Sequence, residues 1–156
     1  MKYVKVEWDD EDRGFVLGAG DYLAVLAQGL ELPAGASAFA RQPGHYDFTG
    51  RRCVKDLALE RISWSPTGAG ILQISFLPHP AKHDEGLTLS YRGVSEFSVG
   101  RSEADPAARE PDTVLLDELL PAEEGCAHEI ELTNSCITVV AADLEAVWGA
   151  PGASVP

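Results

Sequence analysis

The sequence predicts an α+β fold that is mostly antiparallel β: a curled sheet, roll or sandwich with one short N-terminal helix. Three observations predict this class. Apolar and polar residues alternate with the period of a strand over several short stretches, turn-forming residues separate those stretches, and helical spacing is clear only once. Because the strands are not followed by regular crossover helices, antiparallel pairing is favoured.

The first elements predicted are a hairpin and a helix. Residues 3–8 alternate and predict a half-buried strand, and the apolar residues 15–17 predict its second arm. Asp21 stands where a helix N-cap is expected, apolar residues follow at helical spacing, and Gly29 ends the helix after roughly two turns. The composition admits a second short helical turn at residues 37–41.

The next strand contains a predicted β-bulge. Leu57 and Leu59 share one face, whereas Ile62 and Trp64 share the opposite parity. One extra residue near positions 60–61 would point all four side chains inward, and a bulge inserts one such residue.

Later elements follow the same alternation. Residues 65–70 predict a turn, Gly93 predicts a turn or bulge, and residues 101–111, which have no periodicity, predict a mobile loop. Residues 114–120 fit either a strand or a short helix, and Asn134 with Ser135 predicts a hairpin turn. Further predicted strands occupy residues 72–76, 87–91, 94–99, 130–132, 136–142 and 144–148.

Charge is the unusual feature of the composition. The 156 residues include 25 Asp and Glu against 12 Lys and Arg, a formal net charge of -13, and residues 79–156 hold 15 of the acids but only 4 of the bases. Nucleic-acid binding and recruitment to an anionic membrane are disfavoured, because both need clustered basic side chains. The length predicts one domain, residues 1–150, with a flexible tail at 151–156.

The cysteines and the start of the sequence predict a cytoplasmic protein. The chain starts directly with a strand pattern, without the apolar stretch of a signal peptide, and no apolar run approaches the roughly 20 residues that span a bilayer. Cys53, Cys126 and Cys136 are odd in number and widely spaced, so we expect reduced thiols that act as small buried hydrophobic residues.

Three sets of residues are candidates for chemistry. A metal site or enzyme centre built on His45, Asp47, Cys126 and His128 is one alternative, although no zinc-type spacing occurs. A nucleotide cofactor is disfavoured, because Gly18-Ala-Gly20 lacks the third glycine of the dinucleotide fingerprint, and we expect no cofactor.

A second alternative is a small-molecule pocket lined by Trp8, Trp64 and Trp148, although core packing explains these residues more simply. The basic cluster at residues 51–61 is expected to form ion pairs with the acidic half of the chain.

The acidic segment is the third candidate. Residues 102–131 contain 10 acids and one base, Arg109. Such a segment is either a solvated face that maintains solubility or a surface complementary to a basic protein. In the second case the residues that would attract the partner are Asp112, Asp117, Glu118, Glu123 and Glu124.

One arrangement of motifs resembles a known group of proteins. His45-Tyr-Asp-Phe48 and Cys53-Val-Lys-Asp-Leu57 precede three later strand motifs. Those motifs are Leu72-Gln-Ile-Ser-Phe76, Leu87-Thr-Leu-Ser-Tyr-Arg-Gly-Val94, and Glu129-Ile-Glu-Leu132 with Ile137-Thr-Val-Val140 and Asp143-Leu144. Together they are similar to small β-rich bacterial polymorphic-toxin immunity proteins. The resemblance implies a cytoplasmic, non-enzymatic protein that binds and blocks a toxin domain, and no catalytic residues follow from it.

Overall fold

The structure, a computed structural model, describes residues 1–64, 70–102 and 111–150. These residues form two helices and eight strands. In chain order the elements are β1 Lys5–Asp9, β2 Gly14–Gly18, α1 Gly20–Ala27, α2 Ala34–Ala40, β3 Ala58–Trp64, β4 Leu72–Leu77, β5 Gly86–Arg101, β6 Val114–Ala122, β7 Gly125–Leu132 and β8 Ser135–Gly149.

The strands form two antiparallel sheets. Strands β1 and β2 form a hairpin, and the other six form a sheet with the order β3-β4-β5-β8-β7-β6. Every pairing in both sheets is antiparallel. The predicted α+β class with mostly antiparallel strands is therefore confirmed, with two short helices instead of one.

The large sheet curls because its two longest strands bend together. Along β8, the side chains of Ile137, Val139 and Ala141 are buried at every second position, but the next buried side chain is Leu144, three residues on. Strand β5 changes parity at the same level, where Gly93 has a φ of 62°. A Cβ on Gly93 would lie 2.9 Å from that of Ala142. Gly93 therefore permits a close crossing at the corner of the sheet.

Curling brings the first residues of the two edge strands together. Ala58 of β3 forms an isolated antiparallel bridge with Thr113, and the Val114 N–H donates to the Leu57 carbonyl at 2.8 Å. The described residues show no other pairing between β3 and β6, so the sheet is not closed.

The core consists of large apolar side chains from both helices and from the six-stranded sheet. Burying one such side chain contributes about 1.5–3 kcal/mol. The largest fully buried ones are Tyr22, Leu57, Leu72, Ile74, Leu89, Tyr91, Leu116, Leu119, Ile130, Leu132, Ile137 and Leu144.

Helix α1 ends as predicted but begins differently. Its N-cap is Ala19, and Asp21 lies in the first turn without a side-chain capping hydrogen bond, so the predicted N-cap was wrong. At the other end, Gly29 has a φ of 92°, its N–H donates to Leu26, and the Leu30 N–H donates to Val25. This pair of hydrogen bonds is a Schellman motif, which explains why glycine stands there.

Helix α2 is held at its N-terminus by a carboxylate from β8. Asp143 accepts hydrogen bonds from the N–H groups of Gly35 and Ala36 at 3.0 and 2.9 Å, since Pro33 at the N-cap offers no capping side chain. A Cβ on Gly35 would lie 1.8 Å from the Leu144 carbonyl oxygen. Only glycine allows this close contact between α2 and β8.

The bulge predicted in β3 is confirmed. The pairing with β4 shifts register between Leu59 and Arg61. Leu57 is fully buried, but Trp64 is 50% exposed and packs edge-on against Phe97, with 6.1 Å between ring centroids. Trp64 pairs with the fully buried Leu72 and so lies on the inner face, as the bulge predicts, although it is not buried there.

Several predicted strands and turns differ from the observed ones in type or position. The ambiguous residues 114–120 lie in strand β6, and Gly93 is followed by a register shift between Val94 and Glu96 rather than by a turn. The β7–β8 turn lies one residue earlier than predicted, at Thr133 and Asn134. Residues 136–148 form one strand, β8, instead of two. Most of the predicted turn at 65–70 and loop at 101–111, and the tail at 151–156, lie outside the described residues. Among the described helices, neither has the length and hydropathy to cross a bilayer.

Candidate functional site

Four polar side chains meet in the core of the curled sheet. The Asp117 carboxylate on β6 accepts from Nε2 of His45 at 2.7 Å and from Nε2 of His128 at 2.9 Å. On the far side of His128, Nδ1 lies 2.7 Å from the Tyr91 hydroxyl. All four residues are buried, and they come from three strands and the loop after α2.

Hydrogen bonding assigns the protons in this network. Nδ1 of His45 faces the Phe39 carbonyl oxygen at 3.1 Å, so both nitrogens of His45 face acceptors and we assign a proton to each. His128 donates to Asp117 and accepts from Tyr91. Positive His45 then balances negative Asp117, with His128 and Tyr91 neutral.

The network stabilises the ionised form of Asp117. Burial alone raises the pKa of this carboxyl, but the nearby charge of His45 and the hydrogen bonds from His128 and His45 outweigh burial. The pKa of Asp117 therefore lies well below its usual range. The same burial and the charge of Asp117 raise the pKa of Tyr91, which keeps its hydroxyl protonated as a donor.

The network is sealed from solvent. His45 and Asp117 are each 2% exposed. A cavity of about 10 Å³ touches Asp117 and His128 and is otherwise lined by apolar side chains, which leaves room for about one water molecule. This geometry supports an internal structural role. A surface pocket of about 510 Å³ between α1 and the loop after α2 borders His45, but only 2% of that residue is exposed to it.

The other residues of the metal or enzyme alternative do not join this network. Asp47 lies on the surface and accepts hydrogen bonds from Thr49, which lower its carboxyl pKa. Cys126 is buried on the same face of β7 as His128, but it has no hydrogen bond to the network. The structure therefore brings together His45 and His128 and leaves out Asp47 and Cys126.

One group of described residues has a spacing that could hold a metal ion. Single ligand atoms of Glu129, Glu131 and Cys136 lie within 4.8 Å of one another. Both carboxylates are already engaged, because Glu129 binds the Met1 ammonium and Glu131 accepts from the Ser102 hydroxyl. The cluster is explained by these contacts.

The three tryptophans do not share a pocket among the described residues. Trp8 packs against Phe15 in the first hairpin, and Trp64 lies half-exposed against Phe97. Trp148 donates to Gln42 beside α2. The alternative of a small-molecule pocket lined by all three tryptophans is therefore not supported by the described residues.

Two of the five acidic residues predicted to bind a partner are in the interior. Asp117 belongs to the buried network, and Glu118 is 1% exposed. The Glu118 carboxylate accepts from the N–H groups of Lys2, Tyr3 and Val4 at 2.5, 2.5 and 2.9 Å. Neither carboxylate reaches the surface, so neither can contact a partner in this fold.

The other three predicted residues differ in their surroundings. Asp112 is half-buried and accepts hydrogen bonds from the hydroxyls of Thr133 and Ser135 and from the N–H of Asn134, which fixes the β7–β8 turn. Glu123 and Glu124 are exposed in the turn between β6 and β7 and have no partner among the described residues.

Strands β5, β7 and β8 extend this exposed acidic region. On β8, Cys136, Thr138 and Val140 alternate with the buried positions and so point outward. Their partners on the two neighbouring strands therefore share this outer face, and the partners that carry charge are Glu96, Glu129 and Glu131. We call these three residues with Glu123 and Glu124 the acidic face.

The turn and the strands of the acidic face are contiguous. Gly125 follows Glu124, and a Cβ on it would lie 2.1 Å from the Ala141 carbonyl oxygen of β8, so the turn lies against that strand. Glu96, Glu123 and Glu124 are exposed and have no ion pair or hydrogen bond among the described residues.

The predicted ion pairing of the basic cluster with the acidic half of the chain is confirmed for Arg51 and Arg52. Arg51 binds Asp84 at 2.5 Å, and Arg52 binds Glu85 at 2.8 Å, so both partners come from the acidic half of the chain. Lys55 and Lys82 both bind Asp56. These bases are neutralised locally and do not balance the acidic face.

Sequence reasoning missed the roles of Tyr91, Asp143 and Glu96. Nothing in the local pattern distinguishes Tyr91 from any other buried strand residue, and Asp143 caps a helix 107 residues away in the chain. Asp117 and Glu118 did carry a usable signal, because two apolar residues flank them on each side. Isolated acids within an apolar stretch are buried only when paired.

Comparison with known proteins adds no relative: no family model and no curated protein matches this sequence.

Proposed function

We propose that this protein is a non-enzymatic binding protein that neutralises a basic protein partner, in the manner of an immunity protein. The observation that carries the proposal is the acidic face, where Glu96, Glu123 and Glu124 are exposed without a basic neighbour that binds them. Arranged charges of one sign accelerate association with a partner of opposite sign and select that partner. The resemblance to toxin immunity proteins implies that the partner is a toxin domain.

The remaining candidate chemistry also supports a binding role. The His45–Asp117–His128 network is enclosed, and its hydrogen bonds are used within the fold. Free thiols at all three cysteines are typical of a reducing compartment, so we place the protein in the cytoplasm.

The experiment tests the proteins encoded by the genes on either side of this chain's gene, each purified and also expressed in cells with this chain. We expect this chain to restore growth in cells that express one of them, and the two purified proteins to form a stoichiometric complex. Affinity should fall as salt rises, because exposed charges are screened over about 8 Å at physiological ionic strength. No protection together with no complex would overturn the proposal.

A matched pair of variants locates the surface. Glu123→Gln with Glu124→Gln removes two charges from the acidic face and should slow association several-fold. Glu11→Gln with Asp12→Asn removes the same charge from the β1–β2 turn, where those side chains make no hydrogen bonds among the described residues. Equal slowing by both pairs would show a general charge effect and exclude a specific surface.

A further inference from the structure

The second half of β5 is an unpaired sheet edge. Strand β4 pairs with β5 only from Leu87 to Tyr91, where Leu72 is the last partner. From Val94 to Arg101, β5 pairs with β8 on one side and, within the described residues, with nothing on the other. An exposed edge of this kind presents backbone N–H and C=O groups to another strand.

The direction of each backbone group follows from one hydrogen bond. The Ser102 N–H donates to the Asn134 carbonyl at 2.9 Å, and the register from Glu96 to Arg101 continues without a shift. In antiparallel pairs, hydrogen-bonded and non-hydrogen-bonded positions alternate. Even-numbered residues therefore bond β8, and the backbone groups of Phe97, Val99 and Arg101 point to the free side.

Two of the three side chains at these positions, those of Phe97 and Val99, are apolar although they are partly exposed to solvent. Val99 is 50% exposed, and the half-buried Phe97 packs against Trp64, which is itself 50% exposed. Residues 97–101 contain one charged side chain, Arg101, and no acid, so the acidic excess of the chain is not concentrated on these five residues.

The edge is complementary to a second copy of itself. In an antiparallel pairing centred on Val99, Phe97 lies opposite the partner's Arg101, and Val99 lies opposite the partner's Val99. Each of the three residues with free backbone groups then lies opposite a residue whose backbone groups are also free. This register gives six main-chain hydrogen bonds in three pairs. A twofold interface requires such self-complementarity, and a strand one residue out of register would lose it.

We propose that two copies of this chain form a dimer by antiparallel pairing of residues 97–101 of β5 about a twofold axis at Val99. The two six-stranded sheets become one continuous sheet. Val99 is covered by its equivalent, and the Arg101 guanidinium lies over the partner's Phe97 ring, a favourable cation–π geometry. Because each copy carries a net charge of -13, salt strengthens this dimer by screening the repulsion.

Sedimentation of the full chain over a wide concentration range tests the proposal. We expect a reversible dimer that Val99→Lys and Val99→Glu each convert to a monomer, because like charges then meet across the axis. Mixing the two variants should restore a dimer, since Lys then faces Glu. Val16→Lys is the matched control, because Val16 is 52% exposed in the first hairpin, and that variant should remain dimeric.

Val99→Pro provides a second test that depends only on the backbone. The Val99 N–H points away from β8, so proline there removes no hydrogen bond to any described residue, and circular dichroism should show a folded monomer. A wild-type protein that stays monomeric at every concentration would overturn the proposal. So would a Val99→Lys dimer, or a mixture of the Lys and Glu variants that fails to associate.

Discussion

Asp117 accepts a 2.7 Å hydrogen bond from His45, a residue 72 positions earlier in the chain, and both are buried. The pair connects the loop after α2 to β6, and His128 on β7 completes the enclosure of the carboxylate. Because a buried charge without its partners is costly, this contact ties the helical segment to the sheet.

Replacing Asp117 with Asn should destabilise the protein by roughly 3–5 kcal/mol, because the His45 cation would remain buried without its anion. Urea unfolding followed by circular dichroism measures the change. Glu124→Gln is the control, since that exposed carboxylate has no described partner, and it should change the free energy of unfolding by less than about 0.5 kcal/mol. A loss below about 1 kcal/mol for Asp117→Asn would contradict the assigned ion pair.

The stability of the protein should also depend on pH through Asp117. Its pKa is lowered in the folded state, so its contribution is present above the unfolded pKa of about 3.9 and is lost as pH falls towards the folded pKa. The difference in unfolding free energy between wild type and Asp117→Asn should therefore shrink in acid. Denaturant titrations at a series of pH values test this, and a constant difference would show that Asp117 is not ionised in the fold.

Glu118→Gln should loosen residues 2–4. The carboxylate accepts three backbone N–H groups, whereas the amide of Gln would direct its own N–H₂ at one of those donors. We expect a loss of about 2 kcal/mol, since hydrogen bonds to charged groups contribute about 1.5–3 kcal/mol each. Hydrogen exchange should become faster in β1 before the rest of the sheet. Unchanged exchange there would refute the anchoring role of Glu118.

Gly35→Ala should destabilise the packing of α2 on β8. The added methyl group would lie 1.8 Å from the Leu144 carbonyl oxygen, so the helix must move, at a cost of about 1–3 kcal/mol. Gly20→Ala at the start of α1 is the matched control, because nothing lies within 4 Å of its added methyl group. Thermal unfolding should separate the two variants, and equal melting temperatures would disprove the close contact.

The three cysteines should resist alkylation in the folded protein. Burial raises the pKa of Cys53, burial and Asp143 raise that of Cys126 to about 11, and burial and Glu131 raise that of Cys136 to about 12. Thiolate is the reactive form, so iodoacetamide near pH 7 should label each thiol far more slowly than in urea. Mass spectrometry measures the labelling, and rapid native labelling at Cys126 would contradict its burial.

The local sequence pattern was sufficient to predict a strand where one face of the strand is exposed to solvent and the other is buried. It located the bulge of β3 and the alternation of β7. It was insufficient for β6, because the N-terminal residues bound to Glu118 cover the second face and Val114 to Leu119 are all buried. Strands with two buried faces lose their alternation, so residues 114–120 also fitted a helix.

The candidate site could not be predicted from local sequence, because contacts between residues far apart in the chain determine which carboxylates are buried. The acidic run suggested surface carboxylates, but the partners of Asp117 and Glu118 are distant in sequence and appear only when the chain folds. By contrast, Glu123 and Glu124 lie beside a glycine in a turn, where local composition correctly placed them on the surface. The alternation pattern also predicted two strands where there is one, β8. The pattern changes phase at the bend near Ala142, and such a change resembles the end of one strand and the start of another.

The anchoring of residues 2–4 by Glu118 also sets an order for biosynthesis. Tyr3 and its acceptor are 115 residues apart, so at 5–20 residues per second the ribosome needs on the order of ten seconds to supply the carboxylate. During that interval the nascent chain carries the first strand without its anchor. Residues 2–4 are therefore made first in this structure, but they are anchored only after β6 has been made.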